Sequence, residues 1–211
     1  MKNQQLLKFL ALIVVLLFIS EILKYVLDFD KLLQNSLAEQ MTANQIESYF
    51  KLQKKWEFLA YLFIPLYVLI KTVLIATTVY VGAFFFSKNE VVFKKIWGVV
   101  LSAEFIFLLV PIAKLIWFYF FQTNYNLEDL QYFYPLSALN IIGYKGLDPW
   151  LIYPLQTLNL FELAYIIYLS YQIGKLTQTN ADTGLKIVGY SYVTALILWV
   201  CVVMFLTLNY S

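Results

Sequence analysis

Apolar residues in this chain come in long unbroken blocks, not in the strict alternation of a half-buried strand. Five blocks stand out, at 6–27, 57–86, 96–121, 151–173 and 185–208. A helix crossing a bilayer core needs about 20 mostly apolar residues, and each block reaches that length. Runs of this kind cannot form a barrel, because a membrane strand shows one lipid-facing residue in two. The pattern predicts an all-α membrane protein, a single integral membrane domain over 1–211 built as a bundle of five transmembrane helices. No internal repeat is visible, and only two connections are long, 28–56 and 122–150.

Both long connections carry structure of their own. Residues 42–56 read TANQIESYFKLQKKW, with Thr42 placed to cap a helix. Ile46, Tyr49, Phe50 and Trp56 fall near one helical face, with Lys51, Lys54 and Lys55 mostly elsewhere. This is the pattern of an interfacial amphipathic helix, or of a simple amino-terminal extension of the second span. Residues 132–147, YFYPLSALNIIGYKGL, are too short to cross and predict a re-entrant or interfacial segment before span four. Asp148, Pro149 and Trp150 then form a helix-start motif: Asp caps free amides, and Pro takes the first helical position, where no hydrogen bond is lost. Gly143 and Gly146 permit tight turns ahead of it.

Composition supports the membrane reading: 62% of residues are hydrophobic, 13% are charged, and the mean hydropathy is +0.72. Soluble domains are roughly a quarter charged. The amino terminus resembles a signal peptide, but no small-x-small cleavage site follows, and it reads as an uncleaved first span. With the amino terminus cytoplasmic, Lys2, Lys8, Lys88, Lys94, Lys95, Lys175 and Lys186 lie inside, against Lys31, Lys51, Lys54, Lys55 and Lys145 outside. The excess of lysine inside favours that orientation. Trp56, Trp97 and Trp150 stand at span starts as interfacial anchors, whereas Trp199 reads as an interior aromatic.

Absent residue types exclude much chemistry. There is no His and no Arg, and all 15 basic residues are Lys. That removes the imidazole base, His metal ligands and the bidentate phosphate clamp. The single Cys201 forms neither an internal disulfide nor a thiolate metal site. No metal site, cofactor or catalytic set is expected, and a net charge of +2 gives no attraction to nucleic acid.

Four ionisable residues lie deep within apolar blocks: Lys71, Glu104, Lys114 and Glu162. At 1.5 Å per residue, Glu104 stands about 12 Å from the inner helix end, Glu162 about 16 Å, Lys71 about 22 Å and Lys114 about 27 Å. Lys114 is close enough to the outer edge to snorkel. Glu104, Glu162 and Lys71 are expected to meet as an intramembrane polar cluster. Such a cluster is either a proton or ion relay or a neutralising knot that fixes helix register, and one cluster alone makes too short a path for a relay. Pro65, Pro111 and Pro154 interrupt their spans and can bend them. Ala76, Thr77, Gly82, Ala83, Gly184 and Gly189 could permit close helix contact.

Three stretches, 41–86, 87–112 and 134–178, resemble in their order the Yip1 family of five-span membrane proteins, in its bacterial branch. The matching elements are Phe93-Lys94-Lys95 opening span three, Asp148-Pro149 before span four, and Asn159-Leu160-Phe161-Glu162 within it. The resemblance implies a cytoplasmic amino terminus, location in the bacterial inner (plasma) membrane and a non-enzymatic role in membrane organisation. Eukaryotic relatives bind GTPases through a longer tail, which the few residues before span one do not match. The expected function is therefore a membrane scaffold or accessory subunit. Its partners are the lipid bilayer and further membrane proteins, in homo- or hetero-oligomers. The alternative is a transporter or permease component built around the Glu/Lys cluster. A lipid-directed enzyme would need a paired acid site, and Glu128 with Asp129 reads as a solvated loop.

Overall fold

The computed structural model describes residues 2–87 and 89–210; Lys88, counted above among the inner lysines, lies outside them. Helices follow one another throughout: α1 (Lys2–Val26), α2 (Phe29–Ala38), α3 (Ala43–Phe86), α4 (Phe93–Ala103), α5 (Leu109–Phe120), α6 (Leu127–Tyr132), α7 (Ala138–Ile142), α8 (Pro149–Thr157), α9 (Leu160–Leu176), α10 (Ala181–Val188) and α11 (Thr194–Tyr210). A 3₁₀ stretch, Glu104–Leu108, joins α4 to α5, and a π-helical stretch, Gly189–Val193, joins α10 to α11. Among the described residues there is no strand, only an isolated bridge between Ser137 and Asn159.

Four helical segments are long and apolar enough to cross a membrane: Gln4–Val26, Tyr61–Phe86, Phe93–Phe120 and Ala181–Tyr210. They cover four of the five expected blocks. Block 151–173 is not one helix. It breaks at Leu158, between α8 and α9, and Asn159 starts the second half. The Asn159 side chain makes the break possible by satisfying both loose ends. Its Oδ1 accepts from the Glu162 amide at 2.8 Å, and its Nδ2 donates to the carbonyls of Gln156 and Thr157 at 2.9 and 3.0 Å. The segment before α8 covers the gap: the Ala138 amide donates to Leu158 O at 2.8 Å, and the Leu160 amide donates to Leu136 O at 3.2 Å.

Other local expectations meet mixed outcomes. Residues 43–56 form no separate surface element; they are the first turns of the 44-residue α3, which at 1.5 Å per residue is about 66 Å long and outreaches any bilayer core. Thr42 does start it, with Gln45 Oε1 accepting from the Thr42 amide and hydroxyl, both at 2.9 Å. Asp148 occupies the N-cap position of α8, but its side chain makes no capping bond. The amide it would have served, that of Leu151, donates instead to Asp148's own carbonyl at 2.9 Å. Pro149 holds the first helical position as expected, and Gly143 and Gly146 both take positive φ. Pro65 leaves α3 unbroken. Trp56 is exposed, whereas Trp97 is stitched inward, donating to Thr72 Oγ1 at 3.1 Å. Trp199 is not interior: it is more exposed than buried and donates to Tyr153 OH at 3.0 Å. Lys114 ends on the Leu130 carbonyl of α6.

The main core lies where α3, α4, α9 and α10 meet. Ala76, Val79, Val100, Tyr165, Leu169 and Ile187 are buried there. Small residues set the spacing. A Cβ added at Gly184 would run into the Ser170 carbonyl, and one added at Gly82 would lie 2.7 Å from the Ser191 side chain. Ala76 and Ala83 are buried in the same core, but Thr77 is exposed and Gly189 has open space around it. Gly184→Ala should therefore lower stability by about 3 kcal/mol through forced separation of α9 and α10. Gly189→Ala should be neutral or slightly stabilising. Unfolding in mixed micelles checks this, and equal midpoints for the two variants would contradict the close approach.

Candidate functional site

The buried carboxylate of the bundle is that of Glu104, at the junction of α4 and the 3₁₀ stretch. The stretch leads into Pro111, whose missing amide could not have bonded the Phe107 carbonyl in any case. Lys71 on α3 donates to Glu104 Oε2 at 2.8 Å, and the fully buried Tyr165 of α9 donates to Oε1 at 3.1 Å. Three helices are thus tied to one carboxylate. The Lys71 ammonium also lies 4.5 Å from the centroid of the Phe107 ring, a cation–π contact.

Glu162 lies in the first turn of α9, three residues past the helix break. It accepts from Tyr192 OH at 2.6 Å, and Tyr192 stands on the π-helical stretch. Tyr165 and Tyr192 pack ring to ring, 5.3 Å between centroids. The charges of Lys71 and Glu104 reach Glu162, but no direct bond joins it to either. The three residues marked out in the sequence are therefore neighbours in two linked units: Lys71–Glu104–Tyr165 and Glu162–Tyr192.

The height estimates, about 10 Å apart for Lys71 and Glu104, are too wide. The helix bearing Glu104 starts at Phe93, three residues earlier than the block boundary, which raises Glu104 by about 4.5 Å. The long lysine stem covers the remainder. Tyr165 and Tyr192 were invisible in the sequence, where each is one of 17 tyrosines. The spacing of Tyr165 three residues after Glu162, on the same helical face, was the only available signal.

A cavity of about 730 Å³ opens beside this cluster. Lys71, Glu162, Asn159 and Tyr192 line it, together with Tyr134, Tyr153 and Trp199. Tyr134, half-buried, belongs to the connection before α7. The α8–α9 break lines this cavity through Gln156, Thr157 and Asn159.

A second cavity, of about 830 Å³, is lined by Glu21, Lys24 and Glu57, which do not stand out in the sequence, and by Lys114, which does. Lys24 donates to Glu57 at 2.7 Å and Tyr61 OH to Glu21 at 2.7 Å, with Lys114 on the same wall. These pairs join the end of α1 to the amino-terminal half of α3. Among the described residues, no group of three or more His, Cys, Asp or Glu is placed to hold a metal ion. Comparison with protein-family models, curated proteins and solved structures gave no match.

Tyr192→Phe keeps the ring and removes only the hydroxyl bond to Glu162. It should lower stability by about 1–2 kcal/mol, as expected for a bond to a carboxylate inside a helix bundle. Tyr153→Phe, which loses a bond to an exposed indole, should cost less. Chemical unfolding in mixed micelles ranks the two, and the reverse order would contradict the assignment.

Proposed function

We propose that the chain is a non-enzymatic, multi-pass membrane protein of the Yip1-like type that acts as an accessory or organising subunit. In this reading it crosses the membrane five times, with α8 and α9 together forming a broken fourth crossing. Its amino terminus is cytoplasmic, and the segment before α8 dips into the interface or re-enters the bilayer. The bacterial inner membrane is its proposed site, and other membrane proteins or further copies of itself are its proposed partners. The supporting observation is how the deep charges are spent: Lys71 and Glu104 are consumed in tying α3, α4 and α9 together. A group locked in this way holds helix register and does not carry ions.

A second reading, a permease component, is favoured by the cavity that reaches Glu162 beside a helix break. Broken helices lining a cavity are how many transporters build a substrate site. The two readings part on one experiment. After gentle detergent extraction, the accessory reading expects a stable complex larger than the 24.7 kDa chain. It also expects no solute uptake by vesicles holding the protein alone. Uptake by such vesicles, lost in Glu104→Gln with Glu162→Gln, would overturn it in favour of the permease. A chain that stays monomeric and takes up nothing would count against both.

A further inference from the structure

The cluster contains one ammonium and two carboxylates. Lys71 is committed to Glu104 at 2.8 Å. Among the described residues Glu162 belongs to no ion pair, and the charges that act on it are those of Lys71 and Glu104. Tyr192 donates a hydroxyl bond to it at 2.6 Å, which brings no positive charge. An ionised carboxylate in a low-dielectric bundle is costly: it is relieved by taking up a proton or by a cation beside it.

The space in front of Glu162 has the lining that suits one kind of cation. Its wall carries Tyr67, Phe107, Tyr134, Tyr153, Tyr192 and Trp199. Aromatic faces attract ammonium groups, most strongly where water is excluded. The chain already uses one of these rings in this way, since the Lys71 ammonium rests over Phe107. A volume of about 730 Å³ falls within the range of small-molecule sites. An inorganic cation such as calcium is bound by six or more oxygens, usually with several carboxylates among them, whereas this wall carries one carboxylate, with Thr78, Gln156, Thr157 and Asn159 as its other non-aromatic oxygen groups.

The geometry points to a binding site for a small organic monocation, an alkylammonium or quaternary ammonium, with Glu162 as counter-ion and Tyr134, Tyr153, Tyr192 and Trp199 as its aromatic wall. The ammonium sits against the Glu162 carboxylate, and its alkyl groups lie along the rings. Lys71 also lines the cavity, and its pairing with Glu104 at 2.8 Å weakens its repulsion of a second cation. The inference rests on the cavity being a ligand site, as the permease reading requires, but it does not require transport.

The test is calorimetric titration of the purified full-length protein in lipid nanodiscs with three probes at up to millimolar concentration. Two are cations, choline and butylammonium. The third is the neutral isostere of choline, in which a carbon replaces the quaternary nitrogen. At least one cation should bind saturably and the neutral isostere should not. Glu162→Gln keeps an oxygen acceptor for Tyr192 and should weaken binding by about tenfold or more. Trp199→Leu, at the exposed mouth of the cavity, should weaken it without loss of fold, and Trp56→Leu, outside the cavity, should not. Failure of both cations to bind, equal binding of the neutral isostere, or unchanged affinity in both Glu162→Gln and Trp199→Leu would each overturn the proposal. Uptake is not part of this readout, so a protein that binds choline and transports nothing sinks the permease reading alone.

Discussion

Inside a bilayer, an ammonium and a carboxylate have to satisfy one another, and the Lys71–Glu104 pair is where this bundle meets that requirement. Apolar side chains gain nothing by leaving lipid for the interior of the protein, since both are hydrocarbon. Register between helices therefore depends on polar bonds and on close approach. Here the two act at neighbouring places. Glu104 gathers α3 and α9 through Lys71 and Tyr165, while Gly184 lets α10 press its backbone against α9 at Ser170.

The helices deviate from regular geometry next to the polar groups that matter. Glu104 opens a 3₁₀ stretch, Tyr192 lies on a π-helical stretch, and Glu162 follows the break at Leu158. The break is compensated locally. Asn159 ties off both sides of the break with its own amide, and residues 136–138 add a short bridge across it. Tyr192, which reaches Glu162 on a different helix, stands within the π-helical stretch, a feature frequent at functional sites. The backbone departs from regular hydrogen bonding where the side chains must converge.

What the sequence discloses and what it conceals follow from the same physics. Long apolar blocks reveal helices because only length and hydropathy are needed, and four of five blocks match helical segments capable of crossing. An ionisable residue in such a block is conspicuous, so Lys71, Glu104 and Glu162 could be named. Their tyrosine partners could not, because a tyrosine in an apolar helix is unremarkable until its hydroxyl is placed. Pro154 suggested a bend, but the break comes at Leu158 and is set by the hydrogen-bonding capacity of Asn159. Continuity of α3 from Ala43 was legible in one respect: no Gly or Pro interrupts residues 43–64. Asp148 misled because a cap is decided by competition between two acceptors, its side chain and its own carbonyl, and the carbonyl prevailed.

The account turns on Lys71 and Glu104 acting as a pair, and a double-mutant cycle measures that directly. Stability in mixed micelles would be compared for the parent, Lys71→Met, Glu104→Leu and the double variant. Removal of Lys71 leaves the buried Glu104 carboxylate alone, and removal of Glu104 leaves the half-buried ammonium without its partner, whereas removal of both leaves no charge to compensate. The account predicts that the double variant is more stable than the sum of the single losses implies, by about 2 kcal/mol. Simple additivity of the two losses would contradict it.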